Sequence, residues 1–234
     1  MSTIADAARQ ALGLVTHGDG ELWGIVTLSL EVSLSAALIA SSVGLPLGAW
    51  LATASFHGRR AVIVLLNALM GLPPVVVGLA VYLILSRAGP LGSLGLLFTP
   101  GAMVIAQVLL ITPIVTALSQ QVIADGYEEY REALRSLGAG RVRVMRTLLW
   151  DLRYSLFTVV LAGFGRAAAE VGAVMIVGGN ISGVTRVMTT AIALETSKGD
   201  LALALALGIV LIAIVLALNG SAYIVRELAQ RRFG

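Results

Sequence analysis

The chain has 234 residues, 58% of them hydrophobic and only 12% charged, with a formal net charge of +3 and no cysteine. An ordinary soluble domain carries about 25% charged residues, so this composition and a mean hydropathy of +0.93 exclude a water-solvated globule. They indicate an all-α membrane protein, and because a spanning helix takes about 20 apolar residues, the length holds several spans in one domain, residues 1–234, without a separate soluble part.

The start, "MSTIADAARQALGLVTHGDGELW", has no basic segment followed by an apolar run and a cleavage site, so no removable signal is read there. Apolar runs long enough to cross a bilayer then follow at Trp23 to Ala54, Ala61 to Ser86, Phe98 to Val122, Leu156 to Gly179 and Leu201 to Val225, predicting five spans. The end of the first, "SSVGLPLGAW", is expected to kink. Glu31 is placed either near a membrane end or facing the bundle, where Ser29, Ser33 and Ser35 can supply hydrogen bonds. In the second span Pro73-Pro74 removes two amide donors and predicts a kink or break near mid-membrane, either a gate or a packed irregularity. Thr112-Pro113 in the third has the same two readings.

Basic residues set the orientation. Arg59 and Arg60 follow span one, Arg131, Arg135, Arg141, Arg143, Arg146 and Arg153 follow span three, and Arg226, Arg231 and Arg232 follow span five, which puts most of the 16 basic residues on one side. The N-terminus is expected outside and the C-terminus in the cytoplasm. No internal repeat is visible, against the plan of pseudo-symmetric secondary transporters, and five spans make a thin pore wall, which suggests a homodimer.

Charge gathers in residues 125–153, "DGYEEYREALRSLGAGRVRVMRTLLWDLR". Asp125 with Glu128 three residues on has the spacing of a helix-capping pair, so a helix is expected to start there. Glu128 can meet Arg131 and Glu132 can meet Arg135, while Ala133, Leu134 and Leu137 form an apolar stripe. Gly138-Ala139-Gly140 interrupts this helix. Beyond it Met145, Leu148 and Leu149 lie opposite Arg143 and Arg146, predicting a second amphipathic segment. A loop held to anionic headgroups needs charge but no glycine at a set place; a bent knob suits docking into a partner protein.

Glu132-Ala133-Leu134, three residues, Gly138, nine residues, then Leu148 resembles the "EAA" loop of ABC importer permeases, with Leu134 for the second alanine and Trp150-Asp151 where that pattern has Leu-Pro. With no proline there, the second helix is expected to run on toward Arg153. "LPPVVVGLAVYLILSRAGPLG" and "EVGAVMIVGGNISGVTRVMTTAIALET" resemble molybdate, tungstate and sulfate permeases, the second most like the tungstate type. The resemblance implies a homodimeric inner-membrane permease for tungstate or a related tetrahedral oxyanion. It would receive its cargo from an extracytoplasmic binding protein and be driven by two ATP-binding cassette subunits that hold ATP and Mg. It also implies that Glu132, Ala133, Gly138 and Arg141 couple to the ATPase.

The remaining polar residues carry two readings each. Arg166 and Glu170, four apart, are expected on one face of span four, as a structural pair or as part of the anion path. Gly165, Ala169 and Ala173, with Ala168 and Gly172, are read as close helix packing. "VGGNISGVTR", with Asn180 and Thr185, is either a turn or an anion-binding gate built of backbone amides. No phosphate-binding loop, H-E-x-x-H or Cys/His cluster occurs, and His17 and His57 are isolated. No enzyme activity, resident cofactor, metal or nucleic-acid role is expected; a stand-alone anion channel or carrier, or a membrane scaffold, are the competing classes.

Overall fold

The computed structural model describes residues 4–136 and 138–233, whose regular structure is all helical with no strand among them. Leu137, and the side chains of Arg135, Arg226, Arg231 and Arg232, lie outside the described residues. In chain order the helices are α1 (Ile4–His17), α2 (Gly20–Thr53), α3 (Arg59–Leu69), α4 (Pro74–Leu85), α5 (Pro100–Ser136), α6 (Arg141–Asp151), α7 (Arg153–Ala168), α8 (Gly172–Gly178), α9 (Met188–Lys198) and α10 (Leu201–Phe233), with a 3₁₀ turn at Gly92–Leu94.

Three segments are long and apolar enough to cross a membrane, Gly20–Thr53, Pro100–Leu134 and Leu201–Ser221, and the total reaches five when each bent helix pair is one span. At about 1.5 Å per residue, the 37 residues of α5 exceed a hydrocarbon core of about 30 Å, so its charged end projects beyond the apolar layer. The helix expected to start at Asp125 does not start there. Asp125 lies inside α5, where the preceding turn already supplies carbonyl partners and no amide needs a cap. α2 and α5 also run without interruption through Pro46 and Pro113.

The second predicted span does break, between Leu69 and Pro74. Pro73 is extended (φ −64°, ψ 119°) and Pro74 is the first residue of α4, where the missing amide would have had no helical partner anyway. The fourth, expected as one run from Leu156 to Gly179, is two helices, since α7 stops at Ala168 and α8 begins at Gly172.

The chain forms two compact units. One contains the chain up to Ser35, Pro73–Gln107 and Ala167–Leu218. Its core joins Ala11 of α1, Leu22, Ile25 and Val26 of α2, Met188 and Ala191 of α9, and Ala206, Leu207 and Val210 of α10. In the same unit α4 and α8 are in close contact: a Cβ at Gly78 would sit 2.7 Å from Ala173 Cα and one at Gly172 would sit 2.9 Å from Val75 Cγ2. Small residues at this crossing act as packing surface, as read for Ala173 and Gly172. At Gly165 an added Cβ would meet nothing within 4 Å, so that glycine takes no part in such packing among the described residues.

Glu31 is exposed and gains no bond from its neighbouring serines. Ser29 instead donates to Ile25 O and accepts from Met188 N–H, both at 2.7 Å. The helical period explains this: Ser29 and Ser33 are buried on one face, and Glu31, two residues from each, points to the opposite one.

The other unit contains Ala36–Leu72, Val108–Arg166 and the chain from Asn219. Its core gathers Ala49 and Ala52 of α2, Ile123 of α5, Val144 and Leu148 of α6, and Leu156 of α7. Gly44 lies against Val115 and Thr116 of α5, and Ser119 Oγ donates to Gly44 O at 3.3 Å. Arg59 closes the end of α2, its Nε donating to Leu51 O at 2.6 Å and its Nη2 to Ala52 O at 3.3 Å.

Candidate functional site

The charged elbow lies within the second unit. The last two turns of α5 present Glu128, Glu129, Tyr130, Arg131, Glu132 and Ala133 as exposed residues. Ala133 therefore does not belong to a buried stripe, whereas half-buried Leu134 packs against the core of Ile123, Val144 and Leu148. The Glu128–Arg131 ion pair expected from their spacing is absent; both side chains are solvated, where such a pair would contribute little.

The helix ends as the glycines foretell. Gly138 has φ +61°, and Ala139 N–H donates to Leu134 O at 3.1 Å, a closure in which a left-handed residue lets the following amide reach back to a carbonyl of the last turn. A Cβ added at Gly138 would meet nothing within 4 Å among the described residues, so its backbone angle, not crowding, selects glycine. Exposed Arg141 opens α6 after Gly140, which is extended. Leu148 is buried, Met145 and Leu149 half-buried, and Arg143 and Arg146 exposed, as their spacing predicts; Val144 is buried beside them.

The ending of α6 differs from expectation. It stops at Asp151 and does not continue to Arg153; Leu152 (φ −90°, ψ 11°) is its cap. α7 begins at the next residue, bent by 76° from α6. Arg153 Nη1 donates to Trp150 O at 2.8 Å, adding a side-chain donor to a last-turn carbonyl that Leu152 N–H also approaches.

In the other unit the break in span four is held by side chains. Gln107 Nε2 donates to Ala167 O at 3.1 Å, and Glu170 N–H donates to the same carbonyl at 3.1 Å. The buried Glu170 carboxylate accepts Ala173 N–H at 3.1 Å, capping α8, while Thr189 Oγ1 donates to Glu170 O at 2.7 Å. Arg166 is half-buried in the last turn of α7, where a cation meets the negative end of the helix dipole. α7 ends at Ala168, so the two residues flank a break and do not stand one turn apart on a continuous helix.

The glycine-rich segment folds around Thr185, which is buried. Its Oγ1 donates to Gly178 O at 2.6 Å and accepts Ile181 N–H at 3.0 Å. Asn180 takes φ +51° and its Nδ2 donates to Thr190 O at 3.4 Å, with Oδ1 buried and without a donor among the described residues. Neither side chain is displayed as a solvent-facing donor; both shape the turn. Gln107 and Thr189 escaped the sequence reading because an amide and a hydroxyl in apolar runs give no sign of which distant carbonyl they serve. No group of three or more metal-ligating side chains occurs among the described residues.

Fold and site define a multi-span helical membrane protein whose charge is gathered in one exposed, sharply bent element. Residues 44–234 match the family described as binding-protein-dependent transport system inner membrane component. The chain is 43% identical over 227 residues to the tungstate uptake system permease protein TupB of Peptoclostridium acidaminophilum, covering 97% of this chain and 100% of that one. It is 38% identical to the protein of the same name from Campylobacter jejuni, covering 92% and 90%. It is 39% identical to a probable anion ABC transporter permease protein of Haloferax volcanii, covering 85% and 88%. The chain belongs to this family: it is a multi-pass inner-membrane permease component of a binding-protein-dependent ABC transporter, and such components are non-catalytic.

Proposed function

We propose that this permease imports tungstate or a related tetrahedral oxyanion. The observation that carries the substrate is the 43% identity, over 97% of this chain, to a tungstate uptake permease. In this reading two copies form the pore, an extracytoplasmic binding protein delivers the anion, and two ATPase subunits that hold ATP and Mg dock on the α5–α6 elbow. Glu132, Ala133, Gly138 and Arg141 form the docking element, and their exposure at the turn supports that role. The elbow then faces the cytoplasm and the N-terminus lies outside, in keeping with the distribution of arginines.

Around the path we assign Pro73 and Pro74 to the broken second span and Arg166 with Glu170 to the broken fourth. Asn180 and Thr185 hold a gate loop whose exposed parts are Ser182, Gly183 and the apolar Ile181 and Val184. In this loop the side chains fix shape, and an anion would meet backbone amides.

The test is reconstitution of the permease with its ATPase and binding protein in liposomes, followed by ATP-dependent uptake of tungstate, molybdate and sulfate. Tungstate uptake that needs ATP and falls on Glu132→Ala or Gly138→Pro substitution is expected. The reading is overturned if no ATPase subunit co-purifies and those substitutions leave uptake unchanged.

A further inference from the structure

α6 and α7 are separated by Leu152 alone and meet at 76°. A proline at such a junction would stop α6 by removing an amide, yet the sequence has no proline after Pro113. Leu152 N–H closes the end on Leu148 O at 2.9 Å, and one side chain reinforces it. The Arg153 guanidinium carbon stands 4.8 Å from the centre of the Trp150 ring and 4.5 Å from that of Tyr154, within cation–π range of both. Its Nη1 donates to Trp150 O at 2.8 Å and its Nη2 to the Tyr154 hydroxyl at 3.3 Å. Trp150 is 68% exposed, so burial contributes little to fixing its ring, and the guanidinium over it is the contact the structure shows.

On the inner side of the same elbow, Leu152 lies against Gly126 of α5, where an added Cβ would come within 2.7 Å of its Cδ1. The junction is therefore pinned by apolar contact on one side and by Arg153 on the other. A basic residue that only met headgroups or water would need neither flanking ring, and lysine would serve it equally. The flat, five-donor guanidinium can approach two rings while bonding a carbonyl.

We propose that Arg153 is a positioning residue for energy coupling: it stiffens the α6–α7 elbow so that a push on α6 turns the membrane helix α7 and is not absorbed at Leu152. The proposal rests on the reading of the elbow as the ATPase docking element.

Its test uses the reconstituted complex and reads anion taken up per ATP hydrolysed, together with the distance distribution between spin labels at the exposed positions Arg146 and Phe157. Arg153→Ala is expected to leave ATPase co-purification intact, broaden the distance distribution, and lower uptake per ATP by about three- to tenfold, the weight of one or two exposed ring contacts. Arg153→Lys, which keeps the charge but loses the flat face, should fall between, and Trp150→Phe should remain close to wild type. Should Arg153→Ala not assemble, Trp150→Ala removes one ring and reads the same two quantities. Wild-type uptake per ATP and an unbroadened distribution in Arg153→Ala, or in Trp150→Ala in its place, would overturn the proposal. If the unaltered permease itself binds no ATPase subunit, the docking reading fails, while the label distances still report whether Arg153 stiffens the elbow.

Discussion

Gly78 gives the most direct measure of how tightly the first unit is packed. An alanine there would place Cβ 2.7 Å from Ala173 Cα and 3.2 Å from Ala173 O, where ordinary contact begins near 3.4 Å. The obstructing atoms are backbone, so no side-chain rotation relieves the clash, and α4 and α8 must separate by about 1 Å. Overpacking of this kind costs roughly 1–3 kcal/mol, partly offset by up to about 1 kcal/mol that alanine gains over glycine in a helix. Gly208 in α10 supplies the control, since a Cβ there meets nothing within 4 Å. Gly78→Ala should lower the melting temperature of the detergent-solubilised permease, at about 2–4 °C per kcal/mol for a chain of this size, whereas Gly208→Ala should leave it unchanged or raise it slightly. A Gly78→Ala protein that melts at or above the wild-type temperature would refute the reasoning that backbone contact, not glycine's flexibility, fixes this position.

Thr185→Val leaves both Gly178 O and Ile181 N–H without the partner they now share. At about 1–3 kcal/mol for the buried Gly178 O, with less for the part-buried Ile181 N–H, it should destabilise and open residues 179–186 to proteolysis, while Thr185→Ser should be spared. On α6 the two faces should separate cleanly. Leu148→Ala, at a fully buried site, is expected to cost about 2–5 kcal/mol in a denaturation series, whereas Val142→Ala, at a site 70% exposed, should leave stability unaltered and weaken co-purification of the ATPase subunit.

The parts of the fold that were legible are those written in backbone chemistry. Pro73-Pro74 breaks span two because two successive residues lack the amide a helix interior needs, a stronger signal than the single Pro46 and Pro113 that α2 and α5 accommodate, and Gly138 turns the elbow because a left-handed angle disfavours other residues. The apolar period of Met145, Leu148 and Leu149 named the inward face of α6 for the same local reason, though not buried Val144. What stayed hidden depends on partners distant in sequence. Ala169-Glu170-Val171 reads as ordinary helix, and its break needs Gln107, 60 residues away, to take up Ala167 O. The stop of α6 at Asp151 was misjudged because a missing proline is visible in the sequence, while an arginine reaching back to cap Trp150 O is not. α1 had a readable signal that went unused: Ala7, Ala11, Leu14 and Val15 recur at helical spacing, and the first two are buried.

These ends share a chemistry that bears on selectivity. Arg59 closes α2, Arg153 closes α6, Gln107 takes the last buried carbonyl of α7, Glu170 caps α8, and Thr185 ties the turn that follows. In a lipid-solvated chain each unmet backbone group costs several kcal/mol, so a polar side chain near a broken helix is first required by the backbone. Of the residues assigned to the path, Glu170 and Thr185 are thus engaged in holding breaks open. Non-helical backbone is tolerated at membrane depth only where protein buries it or it lines a water-filled cavity, and the side-chain clamps at residues 107, 170, 185 and 189 supply the protein for these segments. In the proposed reading, a path built around these segments offers an anion peptide dipoles beside the one charge of Arg166, a weak site that favours release over retention. Discrimination among tetrahedral oxyanions then falls to the binding protein, and the permease should carry tungstate and molybdate at similar rates whenever its partner hands over either one.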